Sequence, residues 1–323
     1  MTREKFRAAV IPVLFALLLS ASACGIARGV EIREDFDQTY DAATIKFLKL
    51  ENRNGNVELE VWDRAEIQVQ ATKRVRSLRE KQAEERLKVI KIEVTPSEDT
   101  LTIRTVWPKR RRGFRFFSGG RSASVHYQLK LPRQLNVDAR TSNGRLNASG
   151  LEGDQLFRST NGRIEVQEVS GTLEAKTTNG RINVTGASGR VNLLTTNGTI
   201  RANNLKGSLR AKTTNGSIRA SFQDSPEDEV NLGTTNGSIR LTLPAGTNAD
   251  LLARTTNGSV TTEFPVMMRV EGEIKKRPKR VEGKLGSGGV LLDLSTTNGS
   301  IRILKSTENG EVEAEGESAA SEN

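Results

Sequence analysis

Apolar residues recur at every second position in short runs over most of the chain. Ile45-Lys46-Phe47-Leu48-Lys49-Leu50, Val57-Glu58-Leu59-Glu60-Val61 and Ile67-Gln68-Val69-Gln70-Ala71 each alternate with period two. That spacing puts one apolar face on a half-buried strand. Ile90–Val94 and Thr100–Val106 flank Pro96-Ser97-Glu98-Asp99, which predicts a hairpin. Ala123–Leu131 predicts a further strand. One segment breaks the alternation. Ser77–Val89 is rich in Glu, Lys, Arg, Gln and Leu and predicts a helix, with Ser77 as N-cap and Glu80 three residues on.

Beyond residue 140 the alternation acquires a ruler. Thr-Thr-Asn-Gly or a close variant occurs eight times, with Asn at 143, 161, 179, 197, 215, 236, 257 and 298. The intervals are 18, 18, 18, 18, 21, 21 and 41, the last about twice a repeat. In the first half, Gly153, Gly171, Gly189 and Gly207 fall nine residues after each Asn-Gly glycine. Each unit therefore reads as two short strands and two tight turns, with Ile164, Val166, Leu173, Ala175, Ile182, Val184, Val191 and Leu193 pointing inward.

An antiparallel meander with Asn-Gly hairpins fits this pattern, and so does a parallel solenoid with one coil per unit. A meander places turns on one edge two strands apart, so nothing requires them to match. A solenoid lays each turn on its equivalent at strand spacing, where Thr and Asn stack in ladders. Repetition of all four residues favours the solenoid. The expected fold is all-β: a parallel β-solenoid (β-helix) of ~18–21-residue coils. Asn143, Asn161, Asn179, Asn197, Asn215, Asn236, Asn257 and Asn298 form its turn ladder, and Gly supplies a turn with positive φ. An N-terminal β-rich region with one helix is expected to cap one end, and the insertion around Met267–Gly289 to pack near the other.

The first 23 residues lie outside this scheme. Arg3, Lys5 and Arg7 precede the apolar run Ala8–Leu19, and Ala21-Ser22-Ala23 offers a small-residue cleavage site. This reads as a secretory signal peptide. Cys24, the single cysteine, follows directly and resembles the lipidated cysteine of a bacterial lipobox, although Ala21 stands where Leu is usual. Ordinary cleavage at the same bond is the alternative. The organisation is then 1–23 signal peptide, 24–42 lipid-anchored tether, 43–135 cap region with a helix near 77–89, 136–305 repeats, and 306–323 an acidic disordered tail.

The chain carries a net charge of +10. The signal peptide accounts for +2 and the tail holds six glutamates, so residues 24–307 carry +14. A basic exported body suits phosphate, carboxylate or sulfate partners, or serves solubility alone.

The Thr-Thr-Asn-Gly-Ser-Ile-Arg units resemble the bacterial DUF4097 family of adhesin-like proteins. So do Asn54-Gly55-Asn56-Val57-Glu58-Leu59 with Val61-Trp62-Asp63, and Gly283–Gly289 leading into Leu294–Gly299. The similarity covers residues 43–304. It implies a β-solenoid envelope protein, exported or membrane-attached, and brings no catalytic motif.

Enzymatic chemistry finds little support. His126 is the only histidine and reads as a strand residue. Neither a His/Cys cluster nor a paired-carboxylate pattern is evident, so no cofactor or metal is expected. Thr-Thr places adjacent threonines on opposite faces, unlike the Thr-x-Thr of ice-binding solenoids.

The basic residues are better ordered. Arg145, Arg163 and Arg181 follow Asn-Gly directly, and Arg201, Arg219, Arg240 and Arg302 stand two positions further on. A second row, Arg140, Arg158, Lys176, Lys212 and Arg254, lies three residues before the Asn. These are the candidate polyanion-binding residues. Two loops add charge: Lys109–Phe117 mixes cations with aromatics, and Lys275–Arg280 is basic without them. The expectation is a non-enzymatic module of the cell envelope, held to a membrane by its lipid anchor, that binds an anionic polysaccharide or lipopolysaccharide. Export argues against nucleic acid. The rival is a purely structural spacer; a polysaccharide-active enzyme is the weaker third reading.

Overall fold

The computed structural model describes residues 29–108, 122–267 and 278–306. The expected signal peptide, Cys24, the acidic tail from 307, the Lys109–Phe117 loop, and residues 268–277 of the Met267–Gly289 insertion, with the first half of the Lys275–Arg280 loop, lie outside them. The described chain is all-β, with a single helix among the described residues.

The repeats pair in parallel and in register. Ile164 faces Ile182, Ile182 faces Ile200, and Ile200 faces Ile218. Each strand thus lies on its equivalent one unit away, not on its sequence neighbour as a meander requires. The meander, the alternative reading of the Asn-Gly units, is excluded for these strands. Strands entering each Asn-Gly corner form one face and strands leaving it form the other. In three units the leaving strand runs unbroken into the next entering strand: Ile164–Lys176, Ile182–Leu194 and Ile200–Asn215. The inward residues Ile164, Val166, Leu173, Ala175, Ile182, Val184, Val191 and Leu193 are all buried, as the alternation requires.

Two ladders tie each corner to the next. Every asparagine amide donates to the side-chain oxygen of the layer before it, for example Asn179 to Asn161 and Asn197 to Asn179, both at 2.8 Å. In the six Thr-Thr units the first threonine is buried, and its hydroxyl donates to the preceding layer's glycine carbonyl, as Thr177 to Gly162, Thr195 to Gly180 and Thr213 to Gly198, each at 3.1 Å. The second threonine is exposed. Gly144 and Gly299 have the positive φ expected of the corner glycine, at 145° and 155°, but the other six have a different reason. At Gly162, Gly180, Gly198, Gly216, Gly237 and Gly258 the backbone is not in the left-handed region. There a Cβ would sit 1.9–2.0 Å from the neighbouring layer's glycine carbonyl oxygen. In these six, close backbone approach, not turn conformation, excludes a side chain.

Left-handed backbone is used at the opposite corner. Gly150, Glu168, Gly186 and Asn204 recur every 18 residues with φ of 75°, 50°, 69° and 54°. The 21-residue intervals place their extra residues here, in Gln223–Glu229 and Pro244–Asn248.

Both ends depart from sequence order. At the first end, β1 (Val30–Asp41), β2 (Phe47–Glu51), β3 (Val57–Val61), β4 (Glu66–Ser77), α1 (Glu80–Val89), β5 (Lys91–Pro96), β6 (Thr100–Val106) and β7 (Ser122–Leu131) build the cap. β2 lies between β6 and the strand Asn136–Asn143, so Asn54 joins the ladder above Asn143. β4 pairs antiparallel with β7, and β1 with β4. Most of the expected tether is therefore an edge strand, not a linker. Its alternation is weak because Ile32, Phe36 and Tyr40 are only partly buried and charged residues fill the other face. α1 buries Ala83 and Leu87. Ser77 is not its cap: that position is Arg79, without a side-chain cap bond, while Ser77 ends β4 fully buried.

At the far end the layer of Asn298 is inserted between those of Asn236 and Asn257. Asn298 donates to Asn236, and Asn257 donates to Asn298. This explains the 41-residue interval. The chain builds the outermost layer first, returns through Arg280–Leu285 antiparallel to Ala249–Arg254, then fills the space between.

Candidate functional site

The register sorts the basic residues into columns. On the face after the Asn-Gly corner, Arg201, Arg219, Arg240 and Arg302 share one column in adjacent layers. Above Arg201 this column continues as Asn183 and Glu165, and below Arg302 it ends at Thr261. Arg145, Arg163 and Arg181 occupy a neighbouring column nearer the corner, which continues as Thr199, Ser217, Ser238, Ser300 and Ser259. What looked like one row is two columns, with the arginines moving from one to the other between Arg181 and Arg201.

The second row is interrupted. Arg140, Arg158 and Lys176 are successive, but Leu194 separates Lys176 from Lys212, and Gly233 and Ser295 separate Lys212 from Arg254. It does not form a continuous ladder. Its arginines also stand beside acids. Arg140 donates twice to Asp138, at 2.8 and 2.6 Å, and this hydrogen bond and charge raise the guanidinium pKa further. Arg158 lies 3.3 Å from Glu174, and Arg254 3.9 Å from Asp293. On the other face, Glu165 takes both Arg163 at 3.1 Å and Arg145 at 3.8 Å.

The lower part of that face differs. From the Asn179 layer to the Asn298 layer, its outward positions hold Arg181, Asn183 and Thr185; Thr199, Arg201 and Asn203; Ser217, Arg219 and Ser221; Ser238, Arg240 and Thr242; and Ser300, Arg302 and Leu304. No carboxylate is among them. Arg219, Arg240 and Arg302 have no acidic partner among the described residues. Like charges one strand spacing apart repel, at about 0.2–1 kcal/mol per pair. The column is held in place regardless, because Ile200, Ala202, Ile218, Ala220, Ile239, Leu241, Ile301 and Ile303 alternate with the arginines and are buried.

His126 lies in β7. The Asn56 backbone N–H donates to its Nδ1 at 3.3 Å, and its Nε2 is 3.0 Å from Ser124 Oγ. Burial, with the nearby Arg74, holds it below the usual imidazole range. Among the described residues there is no group of His, Cys, Asp and Glu arranged to hold a metal ion, and no helix is long and apolar enough to cross a membrane.

A family model, Toastrack DUF4097, matches residues 45–304. Among solved structures, a "putative adhesin" from Bacteroides fragilis NCTC 9343 is similar at 14% identity and a TM-score of 0.48, over 84% of this chain and 97% of that one. A "putative adhesin" from Parabacteroides merdae ATCC 43184 matches at 14% identity and 0.30, over 84% and 96%. A "putative cell adhesion protein" from Clostridium sporogenes ATCC 15579 matches at 12% identity and 0.24, over 85% and 100%. No curated protein matches the chain.

Proposed function

The chain belongs to the Toastrack DUF4097 family, and from that premise we propose that it is a non-catalytic parallel β-solenoid of the cell envelope that binds an anionic polymer. The observation that carries this reading is the run Arg219–Arg240–Arg302 in adjacent layers, on the part of the face whose outward strand positions, from the Asn179 layer to the Asn298 layer, hold no carboxylate. Elsewhere the sequence places an acid beside stacked arginines: Asp138, Glu165, Glu174 and Asp293. Its omission here leaves a repulsive array that a polyanion would relieve. Nine stacked layers give a rod roughly 40 Å long, which presents this face at a distance from its base. Export by the signal peptide and lipidation of Cys24 complete the reading, anchoring the cap end to a membrane. The neutralised arginines of the opposite face favour a second reading, a spacer without a ligand.

A binding screen of the purified mature protein separates the two. The panel holds lipopolysaccharide, polyphosphate and acidic polysaccharides, with neutral dextran as control. Binding to an anionic member that weakens with rising salt supports the proposal, since exposed charges are screened. Silence across the panel overturns it in favour of the spacer, and binding insensitive to salt overturns the role given to the arginines.

A further inference from the structure

Each of the nine asparagines in the ladder is followed by glycine. Asparagine is a thermolabile residue, and glycine after it leaves the backbone freest to react. The glycine nitrogen attacks the side-chain carbonyl carbon and bonds to it. The amide C–N bond breaks, and its nitrogen leaves as ammonia with the proton from the glycine N–H. Water then opens the resulting five-membered imide at either carbonyl, leaving aspartate or isoaspartate. The attack needs an asparagine side chain free to turn and a glycine N–H free of its acceptor. We propose that Asn257-Gly258 is the modification site at which the rod ages, and that stacking protects the other eight pairs.

Three observations single it out. Asn257 makes one ladder bond, to Asn298, whereas each of the seven asparagines between Asn54 and Asn257 in the stack donates one and accepts one. Gly144, Gly180, Gly198, Gly216, Gly237 and Gly299 donate their N–H to the asparagine carbonyl of the next layer, at 2.9–3.4 Å. Gly258 has no next layer, and its N–H has no partner among the described residues. Gly258 is also exposed, while the other eight glycines of these pairs are buried or half-buried.

Two other pairs share one restraint's absence and keep the rest. Asn54 ends the ladder at the cap with a single bond, but Gly55 is buried and donates to the Asn143 carbonyl at 2.8 Å. β7 closes over this end, where the Val125 N–H donates to the Asn54 carbonyl at 2.8 Å. The Gly162 N–H has no partner among the described residues either, but Asn161 holds both ladder bonds and Gly162 is half-buried. Asn257-Gly258 alone lacks all three.

The fold confines the damage. A converted Asn257 has no amide to donate to Asn298, and isoaspartate adds a backbone carbon where Gly258 packs on the Gly299 carbonyl. The outermost layer loosens, while the ladder from Asn54 to Asn298 stays whole. The inserted order matters here: Asn298, last in sequence, is shielded inside the stack.

Incubation of the mature protein at alkaline pH, followed by tryptic mapping with mass spectrometry, tests this. Each of the nine asparagines lies on its own tryptic peptide. Asn257 is expected to convert first, at least about tenfold faster than Asn54 or any interior asparagine, because those must break further hydrogen bonds before attack. In concentrated urea the nine are expected to convert at similar rates. Even conversion across the folded rod, or conversion led by Asn54 or an interior asparagine, overturns the proposal. So does an Asn257 that stays intact in the folded protein while the urea sample converts. A lead for Asn257 that persists undiminished in urea overturns it too, since it would then belong to the local sequence and not to the stack.

Discussion

Asn298 donates its side-chain amide to Asn236, 62 residues earlier, at 2.7 Å. Asn257, which is nearer in sequence, donates to Asn298 at 2.8 Å and ends the ladder. Asn298 therefore makes two ladder bonds and Asn257 one. At about 0.5–1.5 kcal/mol net per bond, Asn298→Ala should cost about 1–3 kcal/mol, and Asn257→Ala about half as much. Urea unfolding of both variants checks the ratio. Equal losses would contradict the inserted order.

The corner glycines yield a sharper contrast. A Cβ at Gly198 would lie 2.0 Å from the Gly180 carbonyl oxygen, backbone that cannot yield without parting two layers. A Cβ at Gly246 would meet nothing within 4 Å. Gly198→Ala should cost more than about 3 kcal/mol or prevent folding, whereas Gly246→Ala should fall within about 0.5 kcal/mol of the parent. Thermal melts of the pair decide the matter.

Threonines in equivalent positions should respond oppositely. Thr195 donates to the Gly180 carbonyl, but the Thr141 hydroxyl is buried without a partner. Valine fills the same volume in both. Thr195→Val loses a bond and leaves a buried acceptor short, which should cost about 1–2 kcal/mol. Thr141→Val removes an unsatisfied hydroxyl and should be neutral or stabilising by about 1 kcal/mol. Denaturant midpoints read both signs.

How far the sequence reveals this molecule depends on which interactions repeat. Period-two alternation exposes the inward residues, and identity of four corner residues distinguishes a parallel stack from a meander. Both signals come from neighbours one layer apart. The ends are hidden because their pairings occur once. Nothing in the spacing of Asn236, Asn257 and Asn298 tells that the last sits between the other two. β1 is hidden because an edge strand buries no residue fully and its charges read as linker. The arginines were visible, but their grouping was not. A two-residue offset divides Arg181 from Arg201, and Leu194 breaks the opposite row, facts of register that only the stacked layers reveal.

Glu168 occupies the left-handed corner where Gly150 and Gly186 stand in adjacent layers, with φ of 50°. Its side chain is exposed. A non-glycine residue in this conformation costs about 1 kcal/mol or more. Glu168→Gly should recover about 1 kcal/mol, seen as a higher urea midpoint at unchanged slope. A loss would mean that the carboxylate carries an interaction outweighing the strain.

His126 sets a pH dependence. Its Nδ1 accepts the Asn56 N–H, so the ring is bound in its neutral form. Burial and Arg74 lower its pKa, while Glu58 and Glu31 oppose this more weakly. A histidine whose folded value lies below its unfolded value, about 6.5, binds fewer protons when folded. Its contribution to stability is complete above the unfolded value and is lost as pH falls through that value toward the folded one. The urea midpoint should therefore drop between pH 7.5 and pH 5. His126→Asn keeps an acceptor for the Asn56 N–H but cannot be protonated, so it should flatten that part of the profile. Carboxylates titrate in both proteins and cancel in the difference. If the two profiles run parallel over this range, His126 is not the group responsible.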